Sequence, residues 1–330
     1  MVIKILCDKS KYSFFKDYIE SIMNKNKLFK ICFNTKNIDK NDVIIYLRYT
    51  DEKNLTNSNI KRWFLNTEQL TGHQHLNLIK NCDKDFNVID YSQSNIIISK
   101  KYLNNVFYLP YQVNYKEIFN HKKIYDIGLT ETNSDKRLKI YNDIVKNLHK
   151  KPICINKFGK ERDKTLLKCK IFVNIHRYDA YNIFEEIRCN RLIFNKIIVI
   201  TEKSENSNLF KFKDYIIECN YNEIVDKVKY VLNNYKQVYN KLFSKFDIKK
   251  IDNDLKSHID KIIRYMNIKK VNVKKHKVKK VNVRKVNVRK ISVRKVNVRK
   301  VSVRKINVRK LKSKKVIMKK VKSKKVNVKK

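Results

Sequence analysis

Two rhythms of apolar and polar positions alternate along the first 268 residues. Short runs rich in β-branched and aromatic residues are separated by longer stretches whose apolar positions recur every three or four residues. Such alternation predicts βαβ units and parallel sheets. In the first half the strands fall at 2–7, 29–34, 43–48, 62–68, 86–91 and 106–110, with helical patterns that include 11–24 and 73–81. A polar stretch at 115–123 predicts a linker. A second series follows: strand 124–129, helix 134–148, strand 152–156, short helix 161–168, strand 170–175, helix 180–194, strands 196–201 and 214–218, and helix 221–234. Amphipathic segments 235–246 and 252–266 close it. The pattern predicts an α/β protein of two consecutive doubly wound, Rossmann-like halves.

Beyond residue 268 the rhythm changes. A five-residue unit recurs, as in Val281-Asn-Val-Arg-Lys, Val286-Asn-Val-Arg-Lys and Ile291-Ser-Val-Arg-Lys. In a strand, odd spacing sends the apolar pair to the opposite face at each repeat. In a helix, each unit rotates so far from the last that no apolar stripe persists. The segment 269–330 therefore predicts a low-complexity tail, with disorder favoured over a strand-like or helical repeat.

Charge sharpens that division. The chain's formal net charge is +47, and 29 of its 78 Lys and Arg lie in 269–330, where Asp and Glu are absent. Such a tail, with Arg284, Arg289, Arg294 and Arg299 among its cations, predicts salt-sensitive polyanion or nucleic-acid contact with little sequence preference. It has no aromatic residues on which bases could stack. The competing reading is a repeat-expanded extension with little function. Seven cysteines are scattered without a Cys-x-x-Cys pair, which argues against a zinc ribbon or a disulfide scaffold and suits a reducing, cytoplasmic setting. No apolar run approaches the ~20 residues of a membrane span. The three glycines, Gly72, Gly128 and Gly159, are too dispersed for a Walker A loop or a GxGxxG turn.

The stretch 156–204 carries most of the candidate chemistry. Strand 170–175 delivers Asn174 and His176 to its C-terminal edge, where open α/β sheets bind ligands. Asp179 is placed to cap the next helix, whose free N–H groups suit an anion. Glu185 and Arg188, three apart, share a helical face, and Glu202 ends the following strand. A carboxylate so placed can grip a ribose diol, and an Arg can neutralise a diphosphate. Alternatives stand beside these roles. Glu185–Arg188 also fits an ordinary surface ion pair, and His176 a satisfied strand-end histidine. Glu68 fits either a catalytic base reaching in from the first half or a structural cap. His73 and His75 lack a third metal ligand of fitting spacing, so helix-start solvation is favoured for both.

The order of these residues resembles a known family. Asn174-Ile-His, Glu185-x-x-Arg188-x-Asn190 and Val199-Ile-x-Glu202 are similar to the C-terminal half of GT-B-type, group 1-like glycosyltransferases. More narrowly, they resemble the glycosyltransferase-like proteins of giant DNA viruses and spore-maturation-like proteins. Tyr125-Asp-Ile-Gly-Leu with Arg137, Phe158-Gly-Lys-Glu-Arg-Asp, Leu65-Asn-Thr-Glu-Gln-Leu, Asp90-Tyr-Ser-x-x-Asn95 and Leu109-Pro-Tyr extend the likeness over nearly all of the body and none of the tail. Two motifs depart from the family: Leu129-Thr-Glu-Thr-Asn replaces a glycine-containing loop, and Phe194-Asn-Lys replaces a G-x-P turn.

The resemblance implies an acceptor-side domain over 1–114, a linker over 115–123, a nucleotide-sugar domain with closing helices over 124–268, and the tail as an appendage. It implies sugar transfer from a nucleotide-diphosphate sugar to a glycan or protein acceptor, with no cofactor and no metal. Glu185 would hold the donor ribose. Arg188, Glu202, Asn174, Asp179, Arg137 and Gly128 would complete the donor side, with Glu68 and His176 as catalytic candidates. The competing expectation is a catalytically silent GT-B relic tethered to polyanions by its tail.

Overall fold

A computed structural model describes residues 2–47, 62–130, 133–156 and 159–266. The repeat segment, with Arg284, Arg289, Arg294 and Arg299, lies outside the described residues. Two parallel sheets organise the rest. The first contains β1 (Ile3–Leu6), β2 (Phe29–Cys32), β3 (Val43–Leu47), β4 (Arg62–Asn66), β5 (Asn87–Asp90) and β6 (Asn105–Tyr108), in the order β2-β1-β3-β4-β5-β6. The second contains β7 (Tyr125–Thr130), β8 (Ile153–Ile155), β9 (Cys169–Asn174), β10 (Ile198–Glu202) and β11 (Ile216–Cys219), in the order β11-β10-β9-β7-β8. Every pairing is parallel. Strands covered on both faces need continuous apolar runs, and β3 (VIIYL) and β10 are buried at every position.

The strand order reverses at β1/β3 and at β7/β9, and loops beyond such switch points splay apart to leave a crevice. The helices are α1 (Lys9–Lys25), α2 (His73–Lys80), α3 (Gln93–Ser99), α4 (Asp135–Leu148), α5 (Gly159–Leu166), α6 (Glu186–Phe194), α7 (Ile224–Asn233), α8 (Tyr235–Phe243) and α9 (Ile248–Tyr265). Local chemistry sets several starts. Ser134 accepts from the Arg137 N–H at the head of α4, and Asp247 accepts from Lys249 and Lys250 at the head of α9. The turn into β10 passes through Lys196 at φ 51°, a left-handed conformation that usually favours glycine, where the family's G-x-P turn is missing.

Helix α9 returns to the first sheet. Lys25 pairs with Asp252 at 2.5 Å, Tyr265 donates to Asn105 at 2.8 Å, and its ring stands edge-on to Trp63. Ile251, Leu255, Ile259, Ile262 and Ile263 of α9 join one apolar core with Ile3, Trp63, Phe172 and Leu192. Burying five such side chains contributes on the order of 10 kcal/mol of gross transfer free energy.

The expected helix over 180–194 begins only at Glu186 and spans nine residues. The Ile183 N–H is taken by the Gln69 side chain at 2.9 Å, and the Asn182 carbonyl accepts from Glu205 N–H at 2.8 Å. Ile183 and Phe184 then enter the core from an extended segment. Asp179 is therefore not a helix cap. Helix α3, which the apolar rhythm did not reveal, is only seven residues long and opens on polar Gln93 and Ser94.

Candidate active site

A cavity of about 650 Å³ opens where the C-terminal edges of the two sheets face each other. From the first half it is lined by Phe14 and Asp17 of α1, by Thr67, Glu68 and Gln69 after β4, and by His75 of α2. From the second half Asn133, Arg137, Arg177, Tyr178, Glu185 and Arg188 face it.

Glu185 stands at the N-cap of α6 but does not cap it with its side chain. Its carboxylate instead meets Arg188 at 2.6 Å and Arg137 at 3.9 Å. Arg137 is 5% exposed and donates Nε–H to the Ile175 carbonyl at 3.0 Å, so the residue just after β9 orients its guanidinium. Arg188 donates to Asn174 Oδ1 at 2.9 Å, and Asn174 in turn donates to Thr201 Oγ1 at 3.0 Å. Asn174 is fully buried and acts through Arg188 rather than on the cavity. The wall thus presents one carboxylate braced by two guanidinium groups, an arrangement suited to a diol beside an anion.

Besides Asn174, four more of the expected donor-side or catalytic residues lie outside the cavity lining. Glu202 is 8% exposed and accepts from Lys136 at 2.5 Å and from the His176 N–H at 3.2 Å. It secures the segment after β9. Asp179 is exposed and shares Lys136, whose ammonium holds its carboxyl below the usual range. His176 is 2% exposed, with Nε2 3.1 Å from Ser204 Oγ. Burial pulls its imidazole below the ordinary range against the opposing charges of Glu202 and Glu185. Its Nδ1 is buried with no hydrogen-bond partner among the described residues, and the ring lies outside the cavity lining. Gly128 pairs with Ile153 and Phe172 inside the sheet, where an added Cβ would meet Cys169 Sγ at 2.9 Å. Close strand packing explains that glycine.

On the opposite wall, Glu68 Oε2 lies 3.8 Å from His75 Nε2. A buried polar cluster fixes the turn that carries Glu68. Asn66 and Asn95 both donate to the Glu68 carbonyl, at 2.9 and 2.8 Å, and Asn66 Oδ1 accepts the Glu68 N–H at 3.2 Å. Asp90 collects Asn66 at 2.6 Å, Asn95 at 3.0 Å and the Ser92 N–H at 2.9 Å. It is fully buried, and burial pushes its carboxyl up to about 7 despite those donors.

Arg177, Tyr178 and Tyr181 follow β9 and line the cavity, within the 176–182 segment that the family resemblance implies would face the diphosphate or sugar. Other residues at the cleft escaped the sequence reading. Asp17 pairs with Arg162, and Arg191 joins Asp163 to Glu117. These pairs tie α1, α5, α6 and the 115–123 segment together beside the cleft. Glu186, adjacent to Glu185, points the other way. It is 2% exposed and accepts from Tyr108 at 2.7 Å and the Gln93 N–H at 3.3 Å. Nothing in the sequence separates its role from its neighbour's. Among the described residues no group of three His, Cys, Asp or Glu side chains is arranged to hold a metal, and no helix is long and apolar enough to cross a membrane.

No protein-family model matches the chain. Two proteins of Acanthamoeba polyphaga mimivirus are similar to it. Uncharacterized protein R358 is 32% identical over 279 residues, covering 75% of this chain and 96% of that protein. Uncharacterized protein L140 is 32% identical over 237 residues, covering 68% of this chain and 77% of that protein. Among solved structures, T4 phage BGT in complex with its UDP-glucose substrate superposes with a TM-score of 0.50 at 15% identity, over 81% of this chain and 100% of that one. That likeness establishes the fold: two Rossmann-like halves in the GT-B arrangement.

Proposed function

The chain belongs to the mimivirus protein family that includes R358 and L140, and we propose that its body is a glycosyltransferase. It moves a sugar from a nucleotide-diphosphate sugar to a glycan or protein acceptor, in the host cytoplasm or the virion. The observation that carries this reading is the carboxylate of Glu185 held on the cavity wall by Arg188 and Arg137. A carboxylate can accept two hydroxyl hydrogens from a ribose diol, and planar guanidinium groups beside it can neutralise a leaving diphosphate. Fixed arginines supply positive charge where the transition state develops negative charge, so the proposed chemistry needs no metal. The fold agrees, since BGT, which shares it, takes UDP-glucose as its substrate.

A panel of UDP- and GDP-sugars tests the reading by thermal shift of the full chain. A specific donor raises the melting temperature, because a ligand that binds only the native state stabilises it. Glu185→Ala abolishes the shift without unfolding the protein. If no nucleotide sugar moves the transition, the glycosyltransferase reading fails. The charge of residues 269–330 motivates a second reading, a silent relic held on polyanions. It is favoured if salt-sensitive polyanion binding is the protein's sole measurable activity and deletion of 269–330 removes it.

A further inference from the structure

A second cavity, of about 400 Å³, shares two chain segments with the first. In the turn after β4, Thr67, Glu68 and Gln69 line the first cavity, whereas Leu70 and Thr71 line the second. After β9, Tyr178 and Tyr181 line the first, while Ala180 and Asn182 line the second. The two segments are packed together. A Cβ added at Gly72 would stand 2.4 Å from Tyr181, and the Gln69 side chain takes the Ile183 N–H at 2.9 Å.

The lining of the second cavity has an unmet hydrogen-bonding demand. Thr71 Oγ1 and Asn182 Oδ1 are both buried, and neither has a partner among the described residues. Orphaned buried polar atoms are uncommon and destabilise the state that contains them, so a ligand that supplies partners relieves that cost. The walls limit what the ligand can be. Leu70, Leu76, Ile98 and Tyr102 supply apolar surface, and exposed Lys101 and Glu205 at the rim oppose each other in sign. Among the described residues no arginine lines the cavity, so a phosphate is not favoured. A purely apolar molecule would leave Thr71 and Asn182 unpaired. A neutral pyranose meets both demands, since its ring has an apolar C–H face and its edge carries neighbouring hydroxyls. The volume is that of a small-molecule site.

We propose that this cavity binds a free neutral monosaccharide, which acts as an effector of the first cavity. One hydroxyl donates to Asn182 Oδ1 and a neighbouring one pairs with Thr71 Oγ1, each side chain turning about χ1 to meet it. The sugar thereby clamps the 67–71 turn to the 178–182 segment, and both segments wall the first cavity. It adds a tie to the Gln69–Ile183 bond already there. Fixing these walls favours a ligand held between them, and linkage makes the effect reciprocal. The site itself is independent of the glycosyltransferase reading, whereas its effect on donor binding rests on that reading.

Saturation-transfer NMR of the full chain tests the site, with D-glucose, D-galactose, D-mannose and N-acetyl-D-glucosamine as probes. At least one is expected to receive saturation from the protein. The signal should vanish in Thr71→Val and in Asn182→Leu, and persist in Glu185→Ala, which alters the first cavity. Without sugar, Thr71→Val should melt at or above the parent's temperature, because valine removes an unbonded hydroxyl and keeps its shape. A merely structural threonine would give the opposite sign. UDP, titrated by calorimetry, should bind about fivefold more tightly with the sugar present, and Thr71→Val should lose this gain. No saturation of any probe, or a signal that survives Thr71→Val, overturns the site. A UDP affinity unchanged by bound sugar overturns the effector role. If UDP does not bind at all while Thr71→Val still removes a sugar signal, the transferase reading and the effector role fall and the second site stands.

Discussion

Tyr108 of β6 donates its hydroxyl hydrogen to the carboxylate of Glu186 at 2.7 Å, joining the first sheet to the first turn of α6. The pair lies out of water, and burial pushes Glu186 up to about 8 from its ordinary 4.5. Between those two values the native state keeps a proton that the unfolded chain has lost. Stability from this group is therefore greatest below about 4.5 and declines as pH rises through about 8. Asp90, raised to about 7, acts in the same direction over a narrower window. The melting temperature of the full chain should fall between pH 5 and pH 8, and Glu186→Gln should flatten much of that slope. An unchanged slope in the variant would show that Glu186 does not titrate there.

Gly72 is needed for contact between the halves. Its φ of −76° is open to any residue, but an added Cβ would stand 2.4 Å from Tyr181 Cε1. Gly72→Ala should therefore displace the ring from α2, costing about 1–3 kcal/mol as overpacking does. Donor KM should rise with it, since Tyr181 lines the cavity beside Arg177. In a Tyr181→Ala background the same substitution should be nearly neutral. A double-mutant cycle by denaturant melts tests the coupling.

Arg188 holds Glu185 and Asn174 with separate nitrogens of its guanidinium fork. Lysine keeps the charge but cannot make both contacts. Arg188→Lys should weaken donor binding about 10-fold or more, about 1.4 kcal/mol, when titrated by calorimetry. Because the side chain is partly exposed, the melting temperature should change little. An affinity equal to the parent's would argue that the fork does not shape the donor site.

Glu202 should behave as a structural residue. Its two oxygens accept from Lys136 and the His176 N–H. Glu202→Ala should cost about 2 kcal/mol by leaving buried donors unpaired, and donor affinity in the folded variant should stay within about threefold of the parent. A large loss of affinity in a stable variant would restore the donor role that the family resemblance implies.

The two-sheet plan was legible because each strand of a parallel sheet needs its own apolar run and each crossover its own amphipathic stretch. Glu185 and Arg188 were legible too, since their three-residue spacing predicts a shared side of a helix turn, and the structure confirms their contact. The failures share a physical cause. The N–H of Ile183 bonds a side chain 114 residues away, and this pairing stops α6 from starting at Ala180. Local pattern cannot register such a partner. Nor can it tell Glu185 from Glu186, two identical side chains sent from the N-cap and the first position of one helix into a cavity and into a core. Asn66 and Asn95 present the same problem, because an amide that fixes a distant turn looks in sequence like an ordinary loop residue.

Helix α9 has a consequence for the order of events during synthesis. Its five buried Ile and Leu residues complete a core that begins at Ile3, yet nearly 250 residues must be made before the helix itself exists. On a ribosome the first sheet would emerge early and remain uncovered where α9 belongs, with Trp63 and Phe107 awaiting Tyr265. The N-terminal half is first to be translated and last to be finished, so the nascent chain is most exposed to aggregation and chaperone capture in that interval.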